Sequence, residues 1–357
     1  MNKINVAIIG QGRSGRDIHG KFFKSDKNAV VNVVAVAELD PIRRERALSE
    51  YPACEVYEDY REFYKRDDID IVLNSTYSQD HYAIAKDLLE NGMNVIVEKP
   101  FARNRYECDN LIKIAKDKGL ILAVFQQTFL ATYYTETKKV IESGKLGDIK
   151  QIDITFSGFA RRWDWQTLQS KMAGNIYNTG PHPIGIGLGL LDFDDKTEVV
   201  FSRLATTEFS SGDSDDYAKI ILTAPGKPVV DIEINSNDAY AADNIKILGS
   251  KGTYKCTPSK YELKFFEKDE NETRPVVFGS LKDENDYPIY CSEKLVSHEE
   301  SGEYVGDAFD LGTELFYKMV HAHITEGKPM EVTAEQAAMI ISVIEKVHAE
   351  NPLQIKF

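Results

Sequence analysis

The feature that most constrains this chain is an apolar run that leads directly into a glycine fingerprint. Ile4 to Ile9 reads as a short buried strand, and it is followed at once by Gly10-Gln11-Gly12-Arg13-Ser14-Gly15, a G-x-G-x-x-G. Arg13 to Phe23 can continue as a helix. In a strand–turn–helix of this kind the three glycines act differently. Gly10 permits the tight turn, Gly12 lets the main chain approach a pyrophosphate, and Gly15 lets helix and strand pack closely. The phosphates then lie at the helix N-terminus, where free N–H groups and the helix dipole favour negative charge. With Arg13 and Ser14 completing the loop, the expectation is a dinucleotide site.

The chain is long for one core, at 357 residues, so two domains are expected. A formal net charge of −14 argues against nucleic acid or an anionic membrane surface as partner. No apolar run has the length of a membrane span, and the chain enters its first strand without a signal-like segment. The four cysteines, Cys54, Cys108, Cys256 and Cys291, are scattered and never form C-x-x-C. Reduced structural thiols in a cytoplasmic protein are therefore expected, with no metal site.

The next strand, Val30 to Ala37, ends on Glu38, twenty-three residues after Gly15. A carboxylate at this spacing accepts hydrogen bonds from the adenosine ribose hydroxyls and repels a 2′-phosphate, which favours NAD. Arg43 and Arg44 nearby leave NADP open. Ile69 to Asn74 reads as a strand whose end, Ser75 and Thr76, faces the crevice. His81 opens a helix to Asn91, capped by Gly92. Asn94 to Val97 is a further strand, ending on Glu98-Lys99-Pro100. A helix from Arg105 to Lys118 and a strand from Leu120 to Phe125 complete a doubly wound parallel sheet over residues 1–125.

At this point the sequence resembles the glucose–fructose oxidoreductase / inositol dehydrogenase family (Gfo/Idh/MocA). The resemblance rests on the glycine loop, on His81, on the Glu98-Lys99-Pro100 triplet, on Glu142-Ser-Gly-Lys-Leu-Gly147 and on Asn178-Thr-Gly-Pro-His182. It runs on to the helix from Thr333 to Glu350. It implies a Rossmann domain followed by an α+β domain with a large open, mostly antiparallel sheet over residues 126–357. It also implies a nicotinamide cofactor, and a sugar, cyclitol or related polyol as substrate. By the same resemblance the cofactor contacts are Gly10, Gly12, Arg13, Ser14, Gly15, Glu38, Ser75, Thr76, His81, Glu98 and Lys99.

Lys99 sits at a strand's C-terminal end, where ligands bind in such sheets. Its cation can hydrogen-bond a substrate hydroxyl and stabilise developing alkoxide charge. The proline after it admits a cis bond, which sequence leaves open. In the second half, Tyr134 and Lys138 have the spacing of a short-chain dehydrogenase pair but accompany the wrong glycine pattern. Ile149 to Phe159 alternates as a strand, and the loop after it, Arg161-Arg162-Trp163-Asp164-Trp165, offers cations and indoles. Arg161 and Trp163 are the expected substrate contacts there, against the alternative of packing on a neighbouring subunit.

The resemblance makes His182 the general base or acid on the hydroxyl being oxidised. Two positions depart from the family: Asn178 stands where an acid usually precedes the histidine by four residues, and Gly185 where an acid often follows by three. Asn178 is expected to hydrogen-bond His182 or the substrate. Glu198 to Phe266 alternates in several β-rich stretches, while Glu267 to Glu303, acidic and aperiodic, reads as a surface excursion flanking the site. Asp307–Glu326 and Thr333–Glu350 read as helices, the second opened by a capping box. His321 and His323, two apart on a helix, point different ways and do not share a metal. An open sheet calls for a cover, so a homodimer or homotetramer is expected. The competing reading is a cofactor-binding sensor that keeps the fold without turnover.

Overall fold

Valine, isoleucine and alanine fill both faces of the N-terminal strands, the composition of a parallel sheet covered on two sides. In the computed structural model, which describes residues 2–241 and 243–357, six strands form that sheet. They are β1 (Ile4–Ile9), β2 (Val31–Ala37), β3 (Glu55–Tyr57), β4 (Ile71–Asn74), β5 (Val95–Val97) and β6 (Leu122–Val124), in the order β3-β2-β1-β4-β5-β6. All pair in parallel. The strand order reverses at β1, so a crevice opens beyond the C-terminal ends of β1 and β4. Helix Arg105–Lys118 closes on Gly119 in the left-handed region (φ +65°), as its sequence predicts.

The second sheet has eight strands: β7 (Ile149–Ser157), β8 (Glu198–Ala205), β9 (Tyr217–Thr223), β10 (Val229–Asn235), β11 (Ile245–Gly249), β12 (Gly252–Cys256), β13 (Lys260–Phe265) and β14 (His298–Glu303). Their order is β14-β13-β12-β11-β7-β10-β9-β8. Every pairing is antiparallel except β7 with β10. Ile152, Ile154, Ile220, Ile232 and Ile247 point to one face and are buried. They lie under helix Pro181–Leu190, where a Cβ on Gly187 would stand 3.1 Å from Val230 and Ile232. The opposite face is polar: Lys219 Nζ lies 2.7 Å from Asp231 and 3.2 Å from Glu233.

Two elements differ from the sequence expectation. The 267–303 stretch is not wholly an excursion, because its last six residues form the edge strand β14, paired along β13. Its pattern, His-Glu-Glu-Ser-Gly-Glu, lacks the apolar alternation that marks a strand, since an edge strand need bury little. The second difference concerns helix Ala308–Glu326. It buries Phe316, Tyr317 and Val320 among Ile4, Val6, Ile8, Phe22, Phe23 and Phe125 of the N-terminal half. Each such side chain stabilises that contact by about 1.5–3 kcal/mol. Residues distant in sequence from the N-terminal half therefore complete its core.

Candidate active site

The glycine loop is built as the spacing requires. Gly10 has φ +91°, and a Cβ there would lie 2.8 Å from the Ser75 carbonyl oxygen. At Gly15 a Cβ would lie 2.1 Å from the Gly10 carbonyl oxygen, so no larger residue fits without moving the turn. Gly12 has no atom within 4 Å of its would-be Cβ. The loop is thus packed tightly behind and open in front. Beside it the buried side-chain amide of Gln11 has neither its oxygen nor its nitrogen paired. Open space, free main chain and unpaired polar atoms fit the pyrophosphate of a dinucleotide. The helix after the loop begins as a π-helical turn, Arg13–His19, and continues as Gly20–Phe23.

Glu38 stands at the end of β2, and one of its oxygens accepts the Gln11 main-chain N–H at 2.7 Å. The other accepts the Asp40 N–H at 3.0 Å. The carboxylate therefore joins the second strand to the glycine loop and retains lone pairs for a ribose hydroxyl. Arg43 reaches within 3.9 Å of it, and Arg44 donates to the Glu38 and Leu39 carbonyls. Ser75 donates to the Ile9 and Gly10 carbonyls, fixing the loop against β4. Thr76 donates to the Asn74 side chain.

Two residues expected at the cofactor are buried and bonded within the protein. His81 is buried, with Nδ1 2.7 Å from the Pro100 carbonyl and Nε2 3.3 Å from that of Thr76. Glu98 is 2 % exposed. Its oxygens are engaged by His19 Nε2 at 2.9 Å and by the Lys99 main-chain N–H at 2.9 Å. Glu98 and Lys99 both lie past the last residue of β5, in the turn to Pro100, where Glu98 is held inside by His19 while the Lys99 side chain reaches out to Asn178. Both inward residues clamp the turn that carries Lys99, whose peptide bond to Pro100 is cis.

Lys99 extends from this turn to the second half of the molecule, donating from Nζ to the Asn178 carbonyl at 2.7 Å. Burial pulls its pKa down; the Glu98 charge opposes that, and Arg13 and Arg162 add to it. Asn178 ends the short helix Asn175–Asn178, and His182 lies in the first turn of Pro181–Leu190. The expected Asn178–His182 hydrogen bond is not formed. The Asn178 side-chain oxygen accepts from Gln166 Nε2 at 3.1 Å, while His182 Nδ1 lies 2.5 Å from Thr128 Oγ1. A break between the two helices sets the pair on different turns, so spacing by four does not align them. His182 is pushed down to about 3, first by burial and then by the positive charge of Lys99. It is accordingly a neutral ring at ordinary pH, with Nε2 unpaired among the described residues. Gly185, the other departure, faces the core: a Cβ there would meet Phe129 at 2.9 Å and Ile340 at 3.0 Å.

In the loop after β7, Trp163 is 79 % exposed and Arg161 is also exposed. The neighbours of those two residues reach the site instead. Arg162 contacts Gln166 and lies 3.3 Å from Asp164, and Gln166 carries the chain of hydrogen bonds to Asn178. Trp165 meets Tyr77 edge-on, with ring centroids 4.9 Å apart, bridging the two halves of the molecule. Thr128, Gln126 and Gln166 belong to no motif that sequence reasoning finds. Gln126 donates to the Pro181 carbonyl at 2.6 Å and so anchors the start of the His182 helix. The signal available for the first two is a run of polar residues, Gln126-Gln127-Thr128, directly after a buried strand. Among the described residues no group of His, Cys, Asp or Glu is arranged to hold a metal ion. Among the same residues no helix is long and apolar enough to cross a membrane.

Comparison with known proteins agrees with this geometry. Residues 4–126 match the model described as an oxidoreductase family with an NAD-binding Rossmann fold, and residues 134–255 match the GFO/IDH/MocA C-terminal domain. An uncharacterised oxidoreductase of Schizosaccharomyces pombe is 27% identical over 230 residues, which cover 64% of this chain and 62% of that protein. A scyllo-inositol 2-dehydrogenase (NADP(+)) of Bacillus subtilis is 23% identical over 97% of this chain and 93% of its own. The crystal structure of a 3-ketoreductase from Actinomadura kijaniata, in complex with NADP and TDP-benzene, superposes with a TM-score of 0.76. It is 18% identical, over 98% of both chains. Nothing in these likenesses favours a regulator without turnover.

Proposed function

This chain belongs to the Gfo/Idh/MocA family of oxidoreductases, and from that premise we propose that it is an NAD(P)-dependent dehydrogenase or reductase of a CH–OH group on a sugar, cyclitol or related polyol. Residues 1–125 hold the cofactor, and residues 126–357 hold the substrate and the contacts between subunits. The observation that carries the reading is the bond from Lys99 to the Asn178 carbonyl, which joins the two halves of the chain four residues before His182, a ring that feels the Lys99 charge. The inositol dehydrogenase among the relatives supports a polyol substrate.

The nicotinamide supplies the two-electron hydride chemistry when bound. Every other role falls to the chain. The glycine loop receives the pyrophosphate, and Glu38 receives the ribose hydroxyls, with NAD the preferred form. Lys99 hydrogen-bonds the reacting oxygen and stabilises negative charge as it develops there. His182, neutral and fixed at Nδ1 by Thr128, takes the hydroxyl proton at Nε2 during oxidation and returns it during reduction. Asn178 and Gln166, with Arg162 behind them, form the wall on the substrate side. The uncovered polar face of the second sheet supports a homodimer or homotetramer.

The test is turnover on a panel of polyols, inositols and keto-sugars, with reduction of NAD and NADP followed optically. Turnover of none of them by folded protein, in either direction, would refute the reading.

A further inference from the structure

Behind the crevice lies a buried chain of polar groups that the chemistry above does not use. Tyr317 OH lies 2.6 Å from His19 Nδ1, His19 Nε2 lies 2.9 Å from Glu98 Oε1, and Glu98 Oε2 accepts the main-chain N–H of Lys99 at 2.9 Å. Tyr317 and His19 are fully buried and Glu98 nearly so. The three come from helix Ala308–Glu326, from the last residue of the π-helical turn and from the end of β5.

The cage around them is aromatic. The His19 ring centroid is 4.3 Å from that of Phe125 and 5.8 Å from that of Tyr317, and Phe22 stacks on Tyr317 at 5.4 Å. A carboxylate in such a place is costly unless every oxygen is paired. Glu98 nevertheless stays ionised: burial acts to raise its pKa, but the hydrogen bond from His19, with the charge of Lys99 beyond, brings it below the usual value. Tyr317 holds its proton firmly, because burial raises its pKa well above the ordinary one. It donates that proton to Nδ1, so His19 carries its own on Nε2 and gives it to Glu98.

We propose that Tyr317, His19 and Glu98 form a positioning relay for Lys99: Glu98, held charged and in one rotamer by His19 and Tyr317, ties down the main chain of Lys99 and sustains its ammonium charge. Tyr317 and His19 touch neither crevice nor ligand and act only through Glu98. The relay makes helix Ala308–Glu326, remote in sequence, a determinant of the reactive lysine. The charged or titratable groups facing Lys99 are Glu98, Arg13, Arg162 and His182; of these only Glu98 favours the ammonium form. The proposal rests on the reading that Lys99 is the reacting-site cation.

The experiment reads Lys99 without turnover, so a failure of the relay and a failure of the dehydrogenase reading are distinguishable. The rate of acetylation of Lys99 by acetic anhydride is measured by mass spectrometry across pH on the full chain, with exposed Lys27 as internal reference. Wild type is compared with Glu98→Gln, His19→Phe, His19→Gln and Tyr317→Phe, each checked for folding by its melting curve. Loss of the Glu98 charge, directly or by leaving it unpaired so that it takes up a proton, lowers the pKa of Lys99. A fall of about one unit makes Lys99 label about tenfold faster at neutral pH in Glu98→Gln and His19→Phe. His19→Gln, which keeps a donor toward Glu98, restores the wild-type rate, and Tyr317→Phe falls between. Unchanged Lys99 labelling in folded Glu98→Gln and Tyr317→Phe overturns the proposal, as does a His19→Gln that behaves like His19→Phe.

Discussion

The side chain of Lys99 donates to the main-chain carbonyl of Asn178 at 2.7 Å, joining the end of β5 to the turn before the His182 helix. An ammonium has three donors, so Lys99 can keep this bond and still offer protons to a substrate oxygen. Through that bond the two halves of the chain meet at a charged atom as well as by packing. Because the acceptor is main chain, the bond does not depend on which side chain stands at position 178.

Lys99→Met keeps the length of the side chain and removes the charge. The expected result is a kcat lower by roughly 10²–10⁴ with cofactor affinity little changed, since the interaction lost belongs to the transition state. Steady-state kinetics and calorimetric titration of the cofactor check this. Lost cofactor binding with retained kcat would contradict the assigned role.

Thr128→Val removes the hydroxyl beside His182 Nδ1 and keeps the shape. One hydrogen bond of about 1 kcal/mol predicts a roughly fivefold fall in kcat/KM, and more if the ring reorients. Asn178→Asp, by contrast, leaves the acidic limb of the pH–rate profile where it is, because Asn178 bonds Gln166 and not His182. A limb displaced upward in Asn178→Asp would restore a direct pairing of the two residues.

The open front and the tight back of the glycine loop are separable by mutation. Gly12→Ala should fold as well as wild type, because nothing lies within 4 Å of the new methyl group, yet bind cofactor more weakly. Gly15→Ala should lower the melting temperature, because its methyl group would overlap the Gly10 carbonyl. Melting curves and cofactor titrations on both variants decide it.

Glu38 predicts cofactor choice. NAD should bind more tightly than NADP by about 1–3 kcal/mol, the range of a hydrogen bond to a charged group or of a charge left opposed. Glu38→Ser should narrow the gap, and should also loosen the loop, because the Gln11 N–H loses its acceptor. Equal affinities in the wild type would refute the preference.

His348 stacks on Tyr177 with centroids 4.9 Å apart, and burial pushes it down to about 4. The sign follows from linkage: the unfolded chain takes up this proton below about pH 6.5 while the folded chain refuses it until about pH 4. Its contribution is therefore whole above the unfolded value and is lost as the pH falls between the two. His348→Phe keeps the stacking and should lose less stability than wild type between neutral pH and about pH 4.5. Urea unfolding at both pH values is the measurement, and equal losses would rule the contribution out.

Much of the fold is written locally. The apolar run before Gly10, the caps of Arg105–Lys118 and the alternation in the second half each follow from one stretch of chain. At the site, local signals place Gly10, Gly12, Gly15, Glu38 and Lys99. They fail where the partner is distant: Thr128 meets His182 across 54 residues, and Tyr317 meets His19 across 298. No period marks the loop after β7, so sequence points to Arg161 and Trp163 where the fold brings in Arg162, Gln166 and Trp165. Glu98 is a case of the same kind, since the partner that holds it inside, His19, lies 79 residues away.

Helix Ala308–Glu326 supplies Phe316, Tyr317 and Val320 to the N-terminal core, and this has a consequence during synthesis. The ribosome releases the six-stranded sheet long before the helix that covers one of its faces. Until residue 320 or so emerges, Phe22, Phe23 and Phe125 lack that cover, and His19 and Glu98 lack the hydroxyl that completes their cage. The N-terminal half thus emerges with an apolar side that its own residues do not cover, the condition that favours misassociation. Its closure waits for a helix that begins at Ala308.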